Sequence, residues 1–165
     1  MTRRKFIKGT GASAVAAAVV TKTASGATSK ASSPQSRGKR SKKNVVSTER
    51  APKPIGPYSQ AIVAGNTVYV AGQGPFDPRT RKIVEGGFEQ HAVQTFENVK
   101  AIVEGAGATL EDVVKVNVYL TDLSNFPKMN EIYTRYFKSD FPARATVGTQ
   151  LLGGMLIEVD CIAVI

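Results

Sequence analysis

Two ionisable side chains stand among small and apolar neighbours near the end of the chain: Arg144 in "FPARATVG" and Glu158 in "LIEVDCIAVI". Ala143, Ala145, Thr146 and Val147 surround the arginine, and this mix of small and β-branched residues reads as a strand running into a core. A guanidinium is rarely buried without an anion, so Arg144 either sits in water at a rim or waits for a carboxylate. Glu158 lies on the following strand across a short connection, and antiparallel pairing would bring carboxylate and guanidinium within several ångströms of each other. Two chemistries are open. The pair is a structural salt bridge closing a sheet, or Arg144 grips a substrate carboxylate in a bidentate fork while Glu158 acts on water. In the second case nearby positive charge keeps Glu158 ionised, so that it positions a water or moves a proton.

The other chemistry-bearing residues are few. Cys161 is the only cysteine and His91 the only histidine, which excludes an intrachain disulfide, a zinc cluster and a triad needing a second histidine. Cys161 alternates with apolar residues and reads as a core thiol. His91 falls in a helical stretch and reads as a surface or satisfied histidine. "GQGP", with Gly72 and Gly74, lacks the lysine of a P-loop and the spacing of a dinucleotide fingerprint, so it reads as a turn leaving a strand. Tyr58 in "IGPYSQA" follows Gly56-Pro57 in a loop, where an aromatic lines a pocket or covers an edge. Asn130 is placed on the polar side of a helix.

The elements that must position these residues begin near Asn44. Before it, residues 1–43 hold eleven Lys and Arg and no acid, whereas residues 44–165 hold eleven basic residues against thirteen acids, a net of −2. That asymmetry puts any basic partner surface in the N-terminal segment and argues against nucleic-acid binding by the domain. "MTRRKFIKGTGASAVAAAVV" has a twin-arginine start and a modest Ala/Val run, shorter than the ~20 residues that span a bilayer. It resembles a twin-arginine signal peptide over residues 1–27, with cleavage after Ala27, which implies export to the periplasm. Were the leader not functional, the protein would stay in the cytoplasm. Residues 28–43 read as a disordered basic linker, either a solvated tether or a weak contact for an anionic surface.

From 44 to 165 the pattern is that of one domain. A short edge strand in "NVVSTERAP" precedes a hairpin turning at Gly65-Asn66. Phe88, Ala92, Phe96, Val99, Ile102, Val103 and Ala106 then recur at helical spacing, up to Gly105 and Gly107. "VVKVNVYL" alternates as a half-buried strand. Phe126, Met129, Ile132, Tyr133, Tyr136 and Phe137 stripe a second helix, and two strands follow, about 143–149 and 155–164. The order β-β-β-α-β-α-β-β gives an α+β sandwich, a mixed sheet with two helices on one face. The last strand turns Ile157, Val159, Cys161 and Ala163 toward the helices. Its other face, with Glu158, Asp160 and Ile162, has no third layer, so the domain is expected to oligomerise.

"IGPYSQAI", "VAGQGP", "NVKAIVEGAGATLEDVVKVNVYLTDL", "FPKMNEIYTRYF", "FPARATVG" and "IEVDCIAV", in this order, resemble the RidA/YjgF family of reactive-intermediate deaminases across residues 44–165. The resemblance implies a chorismate-mutase-like fold and a homotrimer whose sheets form a central barrel, with ligand clefts between subunits. It also implies hydrolysis of enamine and imine acids such as 2-iminopropanoate to the 2-oxo acid and ammonia. Arg144 matches the carboxylate-binding arginine and Glu158 the acid that positions water. Tyr58 and Asn130 match cleft residues, and Gly72 lies where a backbone N–H contacts the ligand. Ala71 stands where many deaminase-active relatives have Ser, and Thr146 where a Cys often follows the arginine; both changes bear on the polarity and substrate preference of the cleft. An imine is already electrophilic, so orientation and water delivery suffice without metal, cofactor or covalent nucleophile. The alternatives are a non-catalytic carboxylate-binding or holdase trimer and, against the domain's charge and its single histidine, a ribonuclease.

Overall fold

The computed structural model describes residues 43–165. The leader expected over residues 1–27 and the linker expected over 28–43, apart from Lys43, lie outside them. Gly65 takes φ 64 at the first position of a two-residue turn, the conformation a hairpin of this length requires. It joins β2 (Ala61–Ala64) to β3 (Thr67–Gln73), and β1 (Asn44–Val46) adds antiparallel to the outer side of β2. Then come α1 (Phe88–Gly105), β4 (Val113–Leu120), α2 (Phe126–Tyr136), β5 (Ala143–Gly148) and β6 (Ile157–Val164).

One six-stranded sheet results, in the order β1-β2-β3-β6-β4-β5. The last strand enters the middle, antiparallel to both β3 and β4. β5 pairs parallel with β4, with α2 as the crossover that a parallel connection needs. This corrects the pairing expected of β5 and β6, because β4 lies between them. A short connection in sequence therefore does not make these strands neighbours.

The helices pack on one sheet face, as their stripes predict. Phe96, Val99, Ile102 and Val103 of α1, with Met129 and Ile132 of α2, are essentially fully buried against Val116, Val118, Leu120, Ile157, Val159 and Cys161. Each large side chain so buried contributes about 1.5–3 kcal/mol relative to exposure. Cys161 is a core thiol, its pKa pushed up to about 12 by burial and by Asp160, which leaves it un-ionised and inert.

Among the described residues nothing covers the opposite sheet face. One cross-strand row on it runs Val45, Ile62, Tyr69, Ile162 and Lys115, and Val45 and Tyr69 are half or more exposed.

Candidate functional site

The edge strand β5 presents Arg144 toward α2. Arg144 is level with Val116, whose side chain is buried under the helices, so the guanidinium lies on the helix side of the sheet. Its Nη2 donates to Asn130 Oδ1 at 2.7 Å and its Nη1 meets Met129 Sδ at 3.7 Å. The guanidinium carbon lies 4.6 Å from the centre of the Tyr133 ring and 5.7 Å from that of Phe126. Stacking on aromatic faces suits the planar, weakly hydrated guanidinium and holds its orientation without neutralising its charge. Among the described residues no carboxylate forms an ion pair with it. Asn130, expected on the polar side of the helix, turns its amide oxygen to this arginine. Thr146 follows on the same side of β5, half-buried.

Glu158 belongs to a different place. It is level with Tyr119 on the open face, opposite the side that Arg144 occupies. The structure thus separates the pair that sequence proximity brought together, and an intrachain salt bridge between them does not form. Glu158 reaches into a cavity of about 520 Å³ whose wall includes Tyr58, Ala71, Gly72, Phe76, Leu152 and Met155. A methyl group at Gly72 would run into the Glu158 carboxylate, so glycine is what lets this acid lie along the strand. Tyr58 is half exposed, and its hydroxyl accepts from the Ile55 N–H at 3.2 Å.

The electrostatics of Glu158 also differ from expectation. Burial pushes its carboxyl above the ordinary value and the negative charge of Asp160 adds to the rise, whereas no cation among the described residues opposes it. Asp160 accepts from Asn117 Nδ2 and from the Tyr119 hydroxyl, each at 2.8 Å. That acid is therefore satisfied by neutral donors and keeps its field directed at Glu158.

Two buried amides shape the cavity and were not singled out by pattern. Gln60, 2% exposed, accepts from the Thr48 N–H at 2.7 Å and donates to the carbonyls of Thr48, Ala51 and Pro52 at 2.9–3.2 Å. Asn98, fully buried on α1, donates to the carbonyls of Gly74 and Phe76 at 2.9 Å each. The signal for Asn98 was a polar residue inside an otherwise apolar helical face. Gln60 gave none, because a strand-edge glutamine is ordinarily solvated.

Arg144 and Glu158 thus lie on opposite faces of one sheet: an arginine without a carboxylate partner among the described residues on the helix side, and on the other a glutamate in a mostly apolar cleft, its carboxyl raised by burial. Residues 48–165 match the family model described as endoribonuclease L-PSP. The chain belongs to the RidA/YjgF family. Among its relatives, a RutC family protein of Pyrococcus abyssi is 55% identical over 122 residues, covering 73% of this chain and 96% of the relative. The 2-iminobutanoate/2-iminopropanoate deaminase of the mite Dermatophagoides farinae is 46% identical over 126 residues, covering 76% and 98%. The crystal structure of RidA from an Antarctic Psychrobacter superposes with a TM-score of 0.72 at 47% identity, covering 74% of this chain and 99% of that one. That RidA structure shares the mixed sheet with two helices on which Arg144 and Glu158 lie.

Proposed function

We propose that this chain hydrolyses small imine acids to 2-oxo acids and ammonia, at a site that two copies of the chain complete. The observation that carries the reading is the arginine without an acid. Arg144 is held in orientation by Asn130 and two aromatic rings and keeps its charge available, the arrangement a bidentate carboxylate clamp needs. Relatives named as 2-iminobutanoate/2-iminopropanoate deaminases support the reaction class.

One small molecule cannot reach Arg144 and Glu158 of the same chain through the sheet between them. A second copy covering the open face would bring its own Arg144 to the Glu158 cleft, and a homotrimer with three such clefts meets this need. There the guanidinium would fix the substrate carboxylate, and Gly72 and Tyr58 would bound the rest of the molecule. Glu158 would take a proton from water as the oxygen bonds to the imine carbon and pass it to the nitrogen, then carry the hydroxyl proton of the resulting carbinolamine to the amine as the C–N bond breaks and the C=O bond forms. The balance is one water consumed and one ammonia released. Orientation in such a cleft is worth several kcal/mol of the barrier, enough for a substrate that already hydrolyses on its own.

The test is to generate 2-iminopropanoate enzymatically and follow pyruvate release. The wild type should accelerate it, Arg144→Ala should lose most of the acceleration through KM, and Glu158→Gln should lose it through kcat. A wild type no faster than buffer would overturn the reading.

A further inference from the structure

His91 takes no part in the clamp or in water activation, yet it is 5% exposed and its ring accepts a backbone hydrogen bond. We propose that His91 is a positioning residue for the Glu158 cavity, joining through its neutral ring the two segments that wall it. This rests on the reading of that cavity as the reaction site.

The Leu156 N–H donates to His91 Nδ1 at 3.3 Å, and the backbone of Val84 lies beside the ring, where it favours the protonated form. An accepting Nδ1 leaves the ring proton on Nε2. Leu156 follows the cavity-wall residues Leu152 and Met155, and Glu158 comes two residues later. Val84 is tied to the other wall: its N–H donates to the Pro75 carbonyl at 2.9 Å, and Phe76 bridges Ile83. The same face of α1 holds this wall again through Asn98, which Gln94 fixes in turn at 2.9 Å. Residues 91, 94 and 98 thus form a polar stripe at helical spacing, and His91 is its titratable member.

Protonation would place a second donor, Nδ1–H, against the Leu156 N–H and end that bond. Burial holds the histidine below its ordinary value, with the Val84 backbone acting the other way. Ionised groups on the surrounding elements do not pair with it. Glu89 of α1 is engaged by Lys128 and Arg135, Glu85 and Lys82 flank Val84 without bonding the ring, and Glu158 points to the opposite face. Acidification should therefore loosen Leu152–Leu156 and open the wall beside Glu158. The folded ring binds its proton less readily than the unfolded one, so stability should fall as pH drops through about 6.5 toward the lower folded value.

Because the chain has one histidine, ring resonances of the untagged, isotope-labelled protein report His91 alone. At about pH 7.5 they should show the Nε2–H tautomer. Amide exchange, corrected for intrinsic rates, should show a protected Leu156 that loses protection toward about pH 5.5. His91→Gln, which keeps an acceptor without titrating, should retain protection and a flat KM across this range. Wild-type KM should rise several-fold at the acid end where that of His91→Gln does not, any fall in kcat from protonation of Glu158 being common to both, and His91→Leu should show the loosened wall at every pH. An Nδ1–H tautomer, or Leu156 protection indifferent to pH and to His91→Leu, would overturn the proposal. A wild type without imine hydrolysis would instead overturn the functional reading, leaving the resonance and exchange results to decide His91.

Discussion

Arg144 and Glu158 are governed by opposite surroundings, and each makes a prediction of its own. The arginine depends on planarity: its guanidinium lies over the rings of Tyr133 and Phe126 while Nη2 meets Asn130. Arg144→Lys keeps the charge and loses both the stacking and the fork, so kcat/KM for imine acids should fall about 10- to 100-fold, the worth of one charge-assisted bidentate contact. Calorimetry with a 2-oxo acid should show the matching loss of affinity. The glutamate depends on space. In Gly72→Ala the added methyl must displace the Glu158 carboxylate, the movable end of a flexible side chain, so the fold should survive while kcat falls by at least about tenfold. Unchanged circular dichroism with unchanged kcat would show that the carboxylate need not lie there.

Among the elements, the helices and most strands were legible because their residues repeat with the period of the structure they form. The stripe from Phe88 to Ala106 predicts α1, and alternation through Val113–Leu120 predicts β4. Strand order was not legible in the same way, since it is set by which buried faces meet across the chain. Residues 143–148 and 157–164 are close in sequence, yet the final strand gains more burial between β3 and β4 than at an edge, and β5 takes the parallel place that α2 leaves it. The misplacement of Arg144 beside Glu158 has that one cause. The side chains that fasten loops were also hidden, because Asn98 and Gln60 find backbone partners 8 to 24 residues away. Removing such a group has a definite cost. Asn98→Ala would leave the buried carbonyls of Gly74 and Phe76 without their donor, lowering stability by about 2–4 kcal/mol. Urea denaturation would measure this, and a loss under about 0.5 kcal/mol would mean that water takes over both bonds.

For the whole molecule, the decisive feature is that one sheet keeps Arg144 and Glu158 on opposite faces while its own open face is left half apolar. Among the described residues Asp160 is bound by Asn117 and Tyr119 alone and Glu158 has no cation beside it, arrangements that a neighbouring copy's guanidinium would complement. If the site is shared, two inactive variants can repair each other. Arg144→Ala retains its Glu158 cleft and Glu158→Gln retains its clamp, so a subunit of each, adjacent in the right order, rebuilds one intact site. Refolded together at equal amounts into closed trimers, the two should assort at random, and about one quarter of all clefts should pair an intact Glu158 with an intact Arg144. Imine hydrolysis should then return to about a quarter of the wild-type rate, with light scattering reporting a trimer throughout. Variants mixed without unfolding should stay inactive for as long as subunits do not exchange. Assembly into mixed trimers without any recovery would mean that each chain's arginine and glutamate serve separate sites, and the division of labour drawn from the two faces of the sheet would be wrong.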